Sequence, residues 1–338
     1  MPEVTFADIS AARQRIANYV RTSELMTSAL LNHWLGHEVL FKTECLQRTG
    51  AFKLRGALNT LLHARQQKQS IKRVVASSSG NHAQAVAYAA SLFNIPVTIF
   101  SAQNISKIKA AATRSYGAEL RLFPLRDEAD LAVEQAAQEP GTLWIPPFNH
   151  PDVIAGQGTV AAEIFEQTSD VNAIFMPCGG GGLASGSLIA ARHNSPQTNV
   201  IACEPLAGND AAQSLRLGSI QRLTTPAKTL ADGAATPAVG EHTYPIIQQL
   251  DGFYEVDETQ IAYWTQWLQH LLKLHIEPTS AMSMHGVVNY LAQQNSPQKV
   301  VVILSGGNID AQKMQQIWQD DHLIHQPSLP NAPLASVI

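Results

Sequence analysis

The chain has 338 residues, 45% of them hydrophobic and 15% charged, with a formal net charge of -4. This balance excludes an intrinsically disordered chain, and with no basic block nucleic acid is not expected as a partner. The length suggests about two domains with a sizeable core, and no run of about 18 apolar residues is present to span a membrane.

The start, Met1 to Asp8, lacks the basic and apolar regions of a signal peptide. Cys45, Cys178 and Cys203 are far apart and without CxxC spacing, so neither disulfides nor a Cys-rich zinc site is expected, and a cytoplasmic location fits best. The histidines show no HExxH pattern.

Residues 7–20 predict a helix, with Ile9, Ala12, Ile16, Ala17 and Val20 on one face. A helix over 27–35 and a short strand over 37–42 follow. Next comes Lys53, between the turn signal Thr49-Gly50 and a helix over 52–66. A lysine placed there can point into a cleft and be partly desolvated. Desolvation lowers an amine's pKa, and an unprotonated amine can form a Schiff base with an aldehyde cofactor. Taken alone, such a lysine is more often a solvated residue opening a helix.

Strands over 73–77, 96–101, 119–123 and near Leu143 then alternate with helices over 83–93, 105–115 and 127–138. A second series follows: helix 155–167, strand 173–176, helix 183–193 and strand 200–203. A strand over 252–256, helices over 258–273 and 279–293, and a strand over 299–304 complete it. Short apolar strands alternating with helices predict an α/β fold of mostly parallel sheets covered on both faces. Ligands in such folds bind at the carboxyl ends of strands. The Pro-rich tail, 326–333, is expected to be loose.

Two strand-to-helix joints carry ligand chemistry. In Ser77-Ser78-Ser79-Gly80-Asn81-His82 the hydroxyls, backbone N–H groups and Asn81 amide suit an amino acid's carboxylate, and one serine would be enough for capping. In Gly179-Gly180-Gly181-Gly182-Leu183 the backbone can approach a phosphate closely. No Lys or Arg occurs from Ala173 to Ala191, so an anion there would be held by backbone dipoles. A competing reading exists: Gly179, Gly181 and Ala184 match GxGxxA, and Glu204 follows about 20 residues later, as in an NAD-dependent dehydrogenase. That reading gives no role to Lys53 or the serine loop.

Taken in order, four stretches resemble the motifs of the fold-type II pyridoxal-phosphate enzymes of the serine/threonine dehydratase and serine racemase family. They are Thr49-Gly50-Ala51-Phe52-Lys53-Leu54-Arg55-Gly56-Ala57, Ser78 to His82, Gly179 to Leu183, and Ser305-Gly306-Gly307-Asn308. Ile154 to Thr159, Ala231-Asp232-Gly233 and Ile276 to Thr279 support the match, which runs from about residue 10 to residue 315. The resemblance implies a two-lobed, tryptophan synthase β-like fold. The large lobe would comprise 1–72 and 151–320, the small lobe 73–150, and the tail 321–338.

The resemblance also implies roles. Lys53 would carry pyridoxal phosphate and act as the catalytic base at Cα. Phe52 and Asn81 would touch the ring and its 3-oxygen. Gly179, Gly180, Gly181, Gly182 and Leu183 would bind the phosphate, and Ser305 would sit at the pyridine nitrogen. Ser78, Ser79, Asn81 and His82 would bind the amino acid substrate, and Ser79 could act as the second acid that racemisation requires. Cys203 to Asp210 resembles the divalent-cation site of the racemase-like branch, with Glu204, Asp210 and the Gly208 carbonyl as ligands for Mg²⁺, Mn²⁺ or Ca²⁺. Without the resemblance, the same residues read as a solvated acidic loop.

A neutral serine at the ring nitrogen favours loss of a β-hydroxyl, so the implied activity is dehydration of L-threonine, L-serine or a related 3-hydroxy amino acid to a keto acid and ammonia. Serine racemisation with side elimination, threo-3-hydroxyaspartate dehydration and noncatalytic ligand sensing are the alternatives. Thr236-Pro237 stands where racemases usually carry Ser-Ser, and Asp130 falls near a position where some members carry an arginine. The chain ends soon after the Ser305 motif, so a C-terminal regulatory domain is not expected. The family commonly forms homodimers.

Overall fold

The structure is a computed structural model and describes residues 4–338. Ten strands are present among these residues: β1 (Leu25–Thr27), β2 (Glu38–Lys42), β3 (Arg73–Ser77), β4 (Val97–Ala102), β5 (Glu119–Phe123), β6 (Thr142–Trp144), β7 (Ala173–Pro177), β8 (Asn199–Pro205), β9 (Gly252–Val256) and β10 (Lys299–Ile303). They form two sheets, with order β1-β2-β10-β7-β8-β9 in one and β5-β4-β3-β6 in the other. Only the β1–β2 pair is antiparallel. The expected parallel α/β class is therefore observed.

Burial explains why the central strands read as continuous apolar runs. Every residue of β7 is buried, as are Val300 to Ile303 of β10, because helices cover both faces. The smaller sheet takes all its strands from 73–144, while the larger one joins strands from both ends of the chain. In both sheets the loops that leave β3, β7 and β10 open toward one cleft.

The helix Lys53–Gln66 is gripped by the helix Pro151–Gln167. A Cβ on Gly156 would lie 2.6 Å from the Gly56 Cα and 2.7 Å from the Arg55 carbonyl oxygen, so only glycine permits this approach.

Several boundaries differ from those predicted. The helix expected from 155 begins at Pro151, because His150 caps it by accepting from the Asp152 N–H at 3.1 Å and proline suits the first turn. The helix expected over 279–293 breaks at Met282 into Pro278–Ala281 and Ser283–Leu291. The first helix stops at Ile16, and the three-residue β1 falls below what periodicity detects.

The tail is not loose. Leu329 packs on the core, and the Leu334 N–H donates to Asn289 Oδ1 at 2.6 Å. The Phe253 N–H donates to Ser336 Oγ and the Val337 N–H donates to the Phe253 carbonyl, each at 2.7 Å. Strand β9 is a sheet edge, and the tail supplies partners for backbone groups that a bare edge would expose.

Candidate active site

Phe52, Lys53, Ser78, Ser79, Asn81, His82, Gly179 to Leu183 and Ser305 all line one cleft of about 180 Å³ between the two sheets. That is room for roughly a dozen waters, enough for a small cofactor and its partner.

Lys53 opens its helix, and its amine donates to the Pro147 carbonyl at 2.8 Å. Burial lowers its pKa to about 8; Glu277 opposes the shift and the charge of Arg126 adds to it. Roughly a quarter of the amine is then unprotonated at pH 7.5, against about one part in a thousand for an ordinary lysine. Ser305 follows β10. Its carbonyl accepts the Phe52 N–H at 3.0 Å, and its hydroxyl lies 3.0 Å from Ser280 Oγ. The end of β10 thus fixes the start of the lysine helix.

The glycine loop leaves β7 and enters the helix Gly182–Asn194. The N–H groups of Gly179, Gly180, Gly182 and Leu183 donate to no other group among the described residues. Four free donors at a helix N-terminus suit a phosphate without any cationic side chain. Phe148 presses against this loop: a Cβ on Gly180 would lie 2.3 Å from its ring. Gly180→Ala is expected to displace that ring and weaken pyridoxal-phosphate binding by about tenfold or more, readable by fluorescence titration of the apoprotein. Unchanged affinity would remove the loop from the phosphate site.

In the serine loop, Ser78 Oγ accepts the Gly80 N–H at 3.2 Å, while Ser79 is exposed to the cleft. Asn81 is more committed than its sequence position suggests. Its Nδ2 donates to both oxygens of Glu277, at 2.9 and 3.1 Å, and its Oδ1 accepts from Asn308 at 2.8 Å. Burial raises the Glu277 carboxyl to about 7. His82 is buried and its Nε2 donates to the Ile145 carbonyl at 2.8 Å. Burial and then Lys53 push its pKa down to about 3, so it is a neutral wall of the cleft and supplies no charge.

Glu204 and Asp210 lie together behind the glycine loop, both fully buried. Glu204 accepts the Ala211 and Ala212 N–H groups at 3.3 and 2.6 Å, and neither Asp210 carboxylate oxygen closes a hydrogen bond among the described residues. Burial, then the charge of Asp210, pushes Glu204 well up, and burial lifts Asp210 to about 7. A buried Glu204 facing backbone N–H groups is not free to hold a ribose at the strand end, which removes the dinucleotide reading. Among the described residues no three His, Cys, Asp or Glu side chains gather as a ready metal cage.

Sequence motifs did not reveal Arg126, Lys109, Phe148 or the role of Glu277. They come from the helices Arg126–Ala137 and Lys107–Ser115, a loop and the start of the helix Pro278–Ala281, and only the tertiary fold brings them to the cleft.

A parallel two-sheet fold that brings a buried lysine of lowered pKa, a glycine loop with four free N–H donors and a serine loop into one cleft suits a pyridoxal-phosphate enzyme. Residues 16–306 match the model of the pyridoxal-phosphate dependent enzyme family, and the chain belongs to that family. It is 43% identical to an L-threo-3-hydroxyaspartate ammonia-lyase of Saccharomyces cerevisiae, covering 91% of this chain and 94% of the relative. It is 38% identical to a serine racemase of Schizosaccharomyces pombe, over 91% and 95% of the two chains. A solved T.th. threonine deaminase superposes with a TM-score of 0.85 at 38% identity, covering 90% of this chain and 99% of that one.

Proposed function

We propose that the chain removes water from an L-3-hydroxy amino acid of the serine and threonine class, and that water re-enters to hydrolyse the released enamine to a 2-keto acid and ammonia, with pyridoxal phosphate held in this cleft. The observation that carries the reading is the Lys53 amine, shifted to about 8, in the same cleft as the four free N–H donors of the glycine loop. Pyridoxal phosphate, when bound, supplies an aldehyde that captures amines and a ring that accepts electron density from Cα. The free donors of Gly179, Gly180, Gly182 and Leu183 hold its phosphate, and Ser305 and Phe52 flank its ring. The loop Ser78 to Asn81 orients the substrate carboxylate. The Lys53 Nζ, once free, takes the Cα proton. In this reading residues 1–72 and 151–320 form the large lobe and 73–150 the small one.

Purified protein with pyridoxal phosphate and Mg²⁺ is expected to release keto acid from L-serine, L-threonine or threo-3-hydroxyaspartate. No release from any of them sinks the elimination reading. Racemisation is the second reading, supported by Ser79 exposed in the cleft. Chiral analysis of the L-serine reaction tests it, and absence of D-serine removes it.

The same proposal includes a divalent cation held by Glu204, Asp210 and the Gly208 carbonyl, supported by the two orphaned, buried Asp210 oxygens. Mg²⁺ or Ca²⁺ is expected to raise the thermal midpoint of the chelator-treated protein, and Asp210→Asn to abolish that rise. Equal responses of the two proteins would remove the site. The three free, buried cysteines support a reducing compartment. No helix among the described residues is long and apolar enough to cross a membrane. The family homodimer also belongs to this reading. Sedimentation velocity is expected to give twice the 36.6 kDa chain mass, and a species at the chain mass would remove the dimer.

A further inference from the structure

The charged side chains that line the cleft are Lys53, Lys109, Arg126, Asp232 and Glu277. Four of them have assigned work. Lys53 holds the cofactor in the reading above. Lys109 is neutralised by Asp232 at 2.8 Å, and Asp232 is also approached by Lys313 at 3.3 Å. Glu277 is engaged by Asn81. Arg126 is left.

Its guanidinium carries five N–H donors. Among the described residues one of them is used, in a 2.9 Å bond from Nη1 to the Ala235 carbonyl. Asp130, one turn later, stays 3.6 Å from Nε and is itself held by the Ser77 hydroxyl at 2.5 Å. Arg126 therefore reaches from the helix beside the serine loop to the Ala235 carbonyl on the opposite wall. That wall also packs on the glycine loop, since a Cβ on Gly179 would lie 3.1 Å from the Ala234 Cα.

The other anions of the reaction already have their own donors. The cofactor phosphate has the backbone cradle, and the substrate's α-carboxylate has the loop Ser78 to Asn81. A half-solvated arginine with unspent donors in the same cleft is matched by one further anion on the ligand. Serine and threonine side chains carry none.

We infer that Arg126 binds a second carboxylate on the substrate's Cβ, so that the preferred substrate is a dicarboxylic 3-hydroxy amino acid, 3-hydroxyaspartate. The inference rests on the lyase reading for the reaction and on the cleft geometry for the specificity.

The holoenzyme and its Arg126→Met and Arg126→Lys variants are assayed on L-threo-3-hydroxyaspartate and L-serine. Inhibition or binding of succinate, compared with butyrate, is measured on the same proteins. The unaltered enzyme is expected to have the higher kcat/KM on hydroxyaspartate. Arg126→Met should lower that value at least about thirtyfold more than the value on L-serine, through KM more than kcat. It should also weaken succinate relative to butyrate. Arg126→Lys, which keeps the charge but loses the fork, should fall between, and it serves if the methionine variant does not fold. Parallel loss on both substrates, or a matching loss of pyridoxal-phosphate affinity, overturns the inference and assigns Arg126 to the cofactor or the fold. So does a higher kcat/KM on L-serine in the unaltered enzyme. If no substrate yields keto acid, the lyase reading fails instead. Succinate binding by calorimetry then decides the role of Arg126 alone: loss in Arg126→Met supports it and equal binding overturns it.

Discussion

Lys53→Ala is expected to lower kcat by about a thousandfold or more while leaving the fold intact. The side chain's one hydrogen bond among the described residues goes to the Pro147 carbonyl, and its neighbours Phe52 and Leu54 make the core contacts. Circular dichroism should therefore be unchanged. Borohydride reduction of the holoenzyme followed by peptide mapping should place the trapped cofactor on the peptide that contains Lys53. The sign of the pH dependence follows from the lowered pKa. The attacking amine is the unprotonated form, so the rate of cofactor loading should rise about tenfold per pH unit up to about 8 and level above it. Appreciable turnover by the alanine variant, or a loading rate that keeps rising past pH 10, would reject Lys53 as the attachment point.

Arg55→Met is expected to cost about 3–5 kcal/mol of stability, because it strands the buried Glu44 carboxylate and leaves Glu163 with Lys42 as its one cation. Arg55 lies two residues after Lys53 and is fully buried. Its Nε and Nη2 donate to Glu44 at 2.8 and 2.7 Å, and its Nη1 and Nη2 donate to Glu163 at 2.6 and 2.9 Å. Lys42 closes the network on Glu163 at 2.8 Å and on the Ser23 carbonyl at 2.6 Å. Two cations face two anions, each bonded several times, which is the condition under which a buried ionic cluster holds. The cluster joins the lysine helix to the helix Pro151–Gln167 and to the end of β2.

Urea unfolding of the variant measures the cost, and a loss under about 1 kcal/mol would deny the cluster its structural weight. Acid should attack the same place. Burial pushes the Glu44 carboxyl up, but Arg55 and Ser23 pull it down further, so its folded pKa lies below the ordinary 4.5. A depressed folded pKa stabilises above the unfolded value and loses that contribution as pH falls through the folded one. Stability should therefore begin to drop below about pH 4.5 in the parent chain. That part of the acid dependence should shrink in Arg55→Met, where the depression is gone.

How much of the site could be read along the chain depends on how local its chemistry is. Lys53 opens a helix just after a glycine turn, and the serine loop and the glycine run each sit at a strand-to-helix joint, so a few consecutive residues set both the backbone shape and the donors. Such joints are visible as motifs. His82 and Asn81 were visible as positions but not as chemical states. Burial makes His82 a neutral wall, and Glu277 and Asn308, far away in sequence, take the Asn81 amide. Arg126 carries no local signal at all, because a charged residue in the first turn of an amphipathic helix is ordinary until the fold turns it toward a cleft.

The sequence by itself determined the parallel α/β class and the ordered motifs, with Lys53 at the start of its helix among them, because periodicity and turn residues are short-range properties. Tertiary structure alone decided the Arg55 cluster, the pairing of Lys109 with Asp232, the tail bound to β9 and the placement of Arg126. Each of these depends on groups tens to hundreds of residues apart, whose energies appear only when burial removes water from between them.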